Sequence, residues 1–159
     1  MLAASAFWLS SSWELLVWLI LFSLVLAPVE RWIGSDRTAF VFALGHAGAT
    51  LLTAAGLWLA IRYNAVGTYV THVIDVGASY GFFAVAAVLA FHLSGRWRTL
   101  YLTFLIGYLG IAAGVIQGFT DFGHLAAFAI GLSLAPLVTR GRVRPRDQLS
   151  QGSPGPKAA

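Results

Sequence analysis

Polar and apolar positions along this chain fall into long blocks, not into the short period of an amphipathic helix or strand. Apolar blocks run over residues 7–27, 39–61, 76–93, 100–117 and 122–138, separated by short polar stretches. A helix rising 1.5 Å per residue crosses the ~30 Å hydrocarbon layer of a bilayer in about 20 residues. Each block is therefore predicted to be a membrane-spanning helix, the only isolated segment that satisfies its own backbone in lipid. Pro28 is expected to end the first helix, and Pro136 falls in the last turn of the fifth. After Thr139 the sequence turns to Gly, Pro, Arg, Ser and Gln, a composition that cannot form a core. The expected organisation is an all-α, polytopic transmembrane bundle of five spans over residues 1–139, followed by a disordered basic tail at 140–159. No internal repeat is evident.

Composition sharpens this picture. Hydrophobic residues make up 58% of the 159 and charged residues only 10%, well below the ~25% of a soluble domain. An ordinary soluble enzyme is excluded, and the lack of cysteine excludes a disulfide-stapled secreted domain. The net charge of +4 does not indicate nucleic acid, because the basic residues sit at block ends and in the tail. No Lys or Arg precedes Arg31, so the first block lacks the basic region of a cleavable signal peptide. Basic residues also orient the spans. The connections at 29–37 and 94–99 and the tail carry nine of them, whereas the opposite side carries only Arg62. Basic residues collect on the cytoplasmic side, so the C-terminus is predicted inside and the N-terminus outside.

Ionisable side chains within a span are costly and are candidates for function. Here they are Glu14, His46, Asp75, His92, Asp121 and His124. Asp75 opens the third span with Gly77 and Ser79 close behind, and Asp121 opens the fifth with His124 behind it. Both spans start on the outer side by the charge argument, which puts Ser79 and His124 at similar depth. A hydroxyl and an imidazole in one dry pocket suit nucleophilic catalysis, with His taking the Ser proton and returning it to the leaving group. Gly77 and Gly81, and Gly123, Ala127 and Gly131, give the small-residue spacing that lets two helices approach closely. Plainer readings stand beside these. Ser79 can bond a carbonyl one turn back, Asp75 and Asp121 can be N-caps, and His124 can be a satisfied buried imidazole. His92 lies at the inner end of its span and His72 in an outer loop. The glycines at 107, 110, 114 and 118 are expected to serve packing. Four His without Cys, among scattered acids, do not suggest a metal site, and no cofactor is implied.

Several of these residues resemble the rhomboid family of intramembrane serine proteases. Gly77-Ala78-Ser79 is similar to that family's nucleophile motif at the start of a helix, and Gly123-His124, with Ala127 and Gly131 beyond, to its last-helix motif. Glu30-Arg31-Trp32-Ile33-Gly34-Ser35 resembles the loop between its second and third helices. The overall pattern looks closest to a divergent bacterial rhomboid-like branch, over residues 4–139. The resemblance implies a serine endopeptidase with Ser79 as nucleophile and His124 as general base, acting on transmembrane segments that enter from the lipid. It also implies that the five spans correspond to the second to sixth helices of the family core, the first being missing. An alternative places His46 and Thr50 at the family's second-helix His and Asn, but it would put residues 29–37 outside, against the charge bias.

The preferred alignment carries a departure. Residues 7–17 hold neither His nor Asn, where the family has side-chain donors to the oxyanion, and loss of one such donor costs about 10²–10³ in rate. Tyr80 stands where the family often has Gly and is expected to crowd the site, whereas Phe83, one turn beyond Ser79, could pack on the His124 ring. His46 is either a polar packing contact or an element of the site. The second functional reading is thus a weak or inactive rhomboid-like pseudoprotease that binds transmembrane partners. A third, a small permease subunit, lacks the repeats and broken spans expected of one.

Overall fold

The computed structural model describes residues 12–64, 78–116 and 119–141. Helix α1 is Ser12–Ile33, α2 Ser35–Arg62, α3 Ser79–His92, α4 Arg96–Ile111 and α5 Phe119–Val138, and a π-helical turn, Ala112–Ile116, extends α4. The five helices answer to the five apolar blocks, and no strand occurs among the described residues. The tail from 142 onward, residues 1–11, His72, Asp75, Gly77 and Gly118 lie outside that description, as does the side chain of Glu14.

Two boundaries differ from the sequence expectation. Helix α1 does not stop at Pro28 but runs through it to Ile33. Proline removes only one backbone donor, and neighbouring helices can shelter the freed carbonyl in a membrane bundle. Residues 29–37 therefore form no loop. Val29, Trp32 and Ile33 are buried, and the whole connection between α1 and α2 is Gly34. Its φ of 95° is a backbone state that favours glycine. Gly34 closes α1 by donating its N–H to the Glu30 carbonyl (2.8 Å), and its own carbonyl accepts from the Thr38 N–H (3.1 Å) and Thr38 hydroxyl (3.0 Å). The Ser35 hydroxyl clips the corner by donating to the Glu30 carboxylate at 2.6 Å.

Helix directions alternate. In one core cluster Val29 and Ile33 of α1 lie with Val41 of α2 and Val85, Val88 and Leu89 of α3, and Trp18 meets Phe82 at the other end. Gly123 approaches Tyr80 and Gly131 approaches Ala84, so α3 and α5 run parallel. Arg37, near the start of α2, donates to the carbonyl of Val138 at the end of α5 (2.7 Å). Arg31, Arg37, Arg96, Arg98 and Arg140 thus gather at one end of the bundle, and Arg62 stands at the other.

Helix α3 is the axis of the fold. Every residue from Tyr80 to Ala90 is buried, as expected of a helix that is apolar all round. Close approach is purchased by small residues: Gly45 of α2 and Gly131 of α5 both lie against Ala84, and an added methyl at Gly48 would come 2.8 Å from Ile130. Gly81 does not face α5, as its spacing suggested, but lies under the Phe42 ring of α2, 2.7 Å from where its Cβ would be. Helix α4 is peripheral. Its Tyr101 hydroxyl donates to the Ala86 carbonyl at 2.9 Å, while Leu100, Phe104, Ile106 and Ile111 are exposed. Among the described residues, nothing lies within 4 Å of where a Cβ at Gly107 or Gly110 would stand.

The exterior is apolar too, with Leu19, Leu24, Leu51, Trp58 and Phe122 exposed on other helices. Residues 15–33 of α1, and α2 and α5 throughout, are long and apolar enough to cross a membrane. The 14 residues of α3 span only about 21 Å, less than the ~30 Å core.

Candidate functional site

Ser79 is the first residue of α3, half-buried, with Ala78 at the N-cap contributing no side-chain hydrogen bond. The N-cap position falls to Ala78, and Asp75 lies outside the described residues. His124 is half-buried one turn into α5. Since α3 and α5 are parallel, both residues stand at the same end of the bundle. Asp121 is not an N-cap: α5 begins at Phe119, and Asp121 lies within its first turn, where a carboxylate complements the helix dipole.

Two aromatic rings on α3 hold the His124 imidazole. Phe83 lies 4.7 Å from it, centroid to centroid, and Tyr80 lies 5.3 Å away, edge to face at 77°. These are the residues one and four positions after Ser79. Tyr80 is only 3% exposed. Its phenol end occupies the space that a side chain at Gly123 would need, so the glycine before His124 is the notch that admits a tyrosine after Ser79. On α2, His46 is buried, 6.3 Å from the Tyr80 ring. The Thr50 hydroxyl donates to the His46 carbonyl one turn back (2.8 Å). His92 stands at the opposite end of α3, 4.9 Å from Trp32.

The structure thus brings His46, Tyr80, Phe83 and His124 into one cluster at the junction of α2, α3 and α5. The position of His46 in this cluster is what the sequence pattern did not supply. Its signal was the pair Gly45 and Gly48, which flank it and mark close approach to α3 and α5. Among the described residues, no group of three or more His, Asp or Glu is placed to hold a metal.

On the other side of Phe83 lies an apolar cavity of about 290 Å³ between α1, α3 and α4, lined by Leu21, Val25, Phe82, Phe83, Tyr101 and Tyr108 among others. Phe83 stacks on Tyr108 across it (6.2 Å). One ring therefore serves both as a wall of this cavity and as a face for His124.

A lipid-type exterior around a buried cluster of imidazole and aromatic groups defines an integral, polytopic membrane protein. The chain belongs to the rhomboid-like protein family, whose model matches residues 1–145. No curated protein and no solved structure matches it.

Proposed function

We propose that this protein is an intramembrane serine endopeptidase of rhomboid type, with Ser79 as nucleophile and His124 as general base. The observation that carries the reading is the packing of His124 on Phe83, one turn beyond Ser79 on a parallel helix. In the proposed reaction His124 takes the Ser79 proton as Oγ bonds to the scissile carbonyl carbon. It then delivers that proton to the amide nitrogen as the C–N bond breaks. Water, deprotonated by His124, releases the acyl group and restores Ser79. The substrate is a transmembrane segment of another protein, entering from the lipid through the cavity between α1 and α4. On this reading the tail lies in the cytoplasm and the N-terminus outside, an orientation that the gathered arginines support, and Ser79 is reached from the outer face.

Oxyanion stabilisation is thin. Helix α1 carries no His or Asn, which leaves the N–H groups of the first turn of α3 as donors. Turnover is expected to be slow. The bulk of Tyr80 beside Ser79 favours a second reading, a pseudoprotease that binds transmembrane segments without cutting them. The test is purified protein in liposomes with a fluorescent transmembrane substrate and a fluorophosphonate probe. Labelling of Ser79, with cleavage abolished by Ser79→Ala and by His124→Ala, supports the protease. Wild type indistinguishable from Ser79→Ala in both assays refutes it in favour of the binding role.

A further inference from the structure

Tyr80 occupies a position where its bulk should be a liability, yet the bundle is shaped around it. Its backbone carbonyl faces Gly45 of α2, its phenol end fills the Gly123 notch of α5, and its ring meets His46 and His124. The phenol tip and the ring therefore engage two consecutive residues of α5. Rotation of α5 about its axis would drive Gly123 against this buried ring, and rotation of the imidazole about its χ1 would drive His124 against it. Phe83 limits the imidazole from a second direction.

We infer that Tyr80 is a positioning residue: seated in the Gly123 notch, its ring fixes the orientation of the His124 imidazole. For its effect on reactivity this role rests on the Ser79–His124 reading; for its effect on the ring it does not. Phe keeps the aromatic pair with His124 and Leu loses it, so Phe substitutes for Tyr and Leu does not. An edge-to-face pair of this kind changes a rate by about two- to twelvefold when lost.

The experiment uses the full chain in lipid nanodiscs with isotope-labelled histidine, the His124 signal being assigned from its loss in His124→Gln. Tyr80→Phe should leave the His124 ring resonances in place. Tyr80→Leu, and independently Gly123→Ala, which evicts the phenol from its notch, should shift them. Fluorophosphonate labelling of Ser79 should slow by about two- to twelvefold in Tyr80→Leu and stay within about twofold in Tyr80→Phe. If Tyr80→Leu fails to fold, Gly123→Ala decides. Unshifted His124 resonances in a folded Tyr80→Leu or Gly123→Ala overturn the role, even where stability falls. A wild type that is never labelled but whose His124 signal responds as described sinks the protease reading and leaves the positioning role standing.

Discussion

Adding a single methyl group at Gly131 should weaken the bundle, and the structure gives the size of the effect. A Cβ there would meet the Ala84 carbonyl oxygen and come within 2.8 Å of the Ala84 Cα and carbonyl carbon. Carbon atoms rest at 3.5–4.0 Å, so α5 must retreat from α3 by about 1 Å. The obstacle is backbone and cannot rotate aside, which points to the upper part of the ~1–3 kcal/mol range for overpacking. Replacing glycine in a helix interior returns up to ~1 kcal/mol, leaving a net loss of about 1–2 kcal/mol. Gly107→Ala isolates that return, because no described residue lies within 4 Å of the Cβ it would add; it should be neutral or stabilising by up to ~1 kcal/mol. Gly131 is also two turns from His124 on the same side of α5, and on the proposed protease reading a ~1 Å displacement of the general base lowers reactivity by about 10²-fold. The assay is reversible unfolding of both variants by SDS titration in mixed micelles, followed by circular dichroism, with fluorophosphonate labelling alongside. A Gly131→Ala protein as stable as Gly107→Ala would refute the close approach of α3 and α5.

Three further outcomes are expected. Tyr101→Phe removes the hydrogen bond from α4 to the Ala86 carbonyl and should lower stability by about 0.5–1.5 kcal/mol, with hydrogen exchange rising selectively in α4; uniform exchange across all helices would contradict the peripheral placing of α4. Arg37→Ala deletes the link to the Val138 carbonyl and should cost about 1 kcal/mol, read by the same SDS titration, whereas a variant as stable as wild type would show the link to be idle. A reporter fused after Gly152 should be active only in its cytoplasmic form, and activity on the outer side would reverse the proposed orientation.

Much of the fold was legible because lipid imposes a coarse rule: an apolar block of about 20 residues has little choice but to be a helix. Its finer features were hidden for identifiable reasons. Pro28 reads as a helix end by local propensity, but burial of Val29, Trp32 and Ile33 against α3 carries the helix past it. The connection at residues 29–37 reads as a loop because it is polar, although one glycine suffices for the reversal. Small-residue spacing showed that Gly81 and Gly131 pack closely but not against what. Gly81 meets α2 and Gly131 meets α3, a distinction that resides in helix rotation and not in spacing. At the site, the Phe83 contact with His124 followed from a one-turn interval, whereas the approach of His46 to Tyr80 depends on how α2 crosses α3.

A core helix hidden on all sides has a consequence for which changes natural variation can tolerate. In water, burying α3 would be rewarded by expelling solvent, and any large apolar residue would serve. In lipid the surroundings are as apolar as the core, so helices associate through fit. Ala84, touched by α2 through Gly45 and by α5 through Gly131, is therefore constrained by its volume and hardly by its hydrophobicity. At such positions Ser should be accepted more readily than Leu. On the lipid-facing side, at Leu19, Leu51 or Phe104, the preference should invert: size is free and polarity is not. The same chain thus carries two opposite substitution rules, divided by which side of a helix looks toward α3.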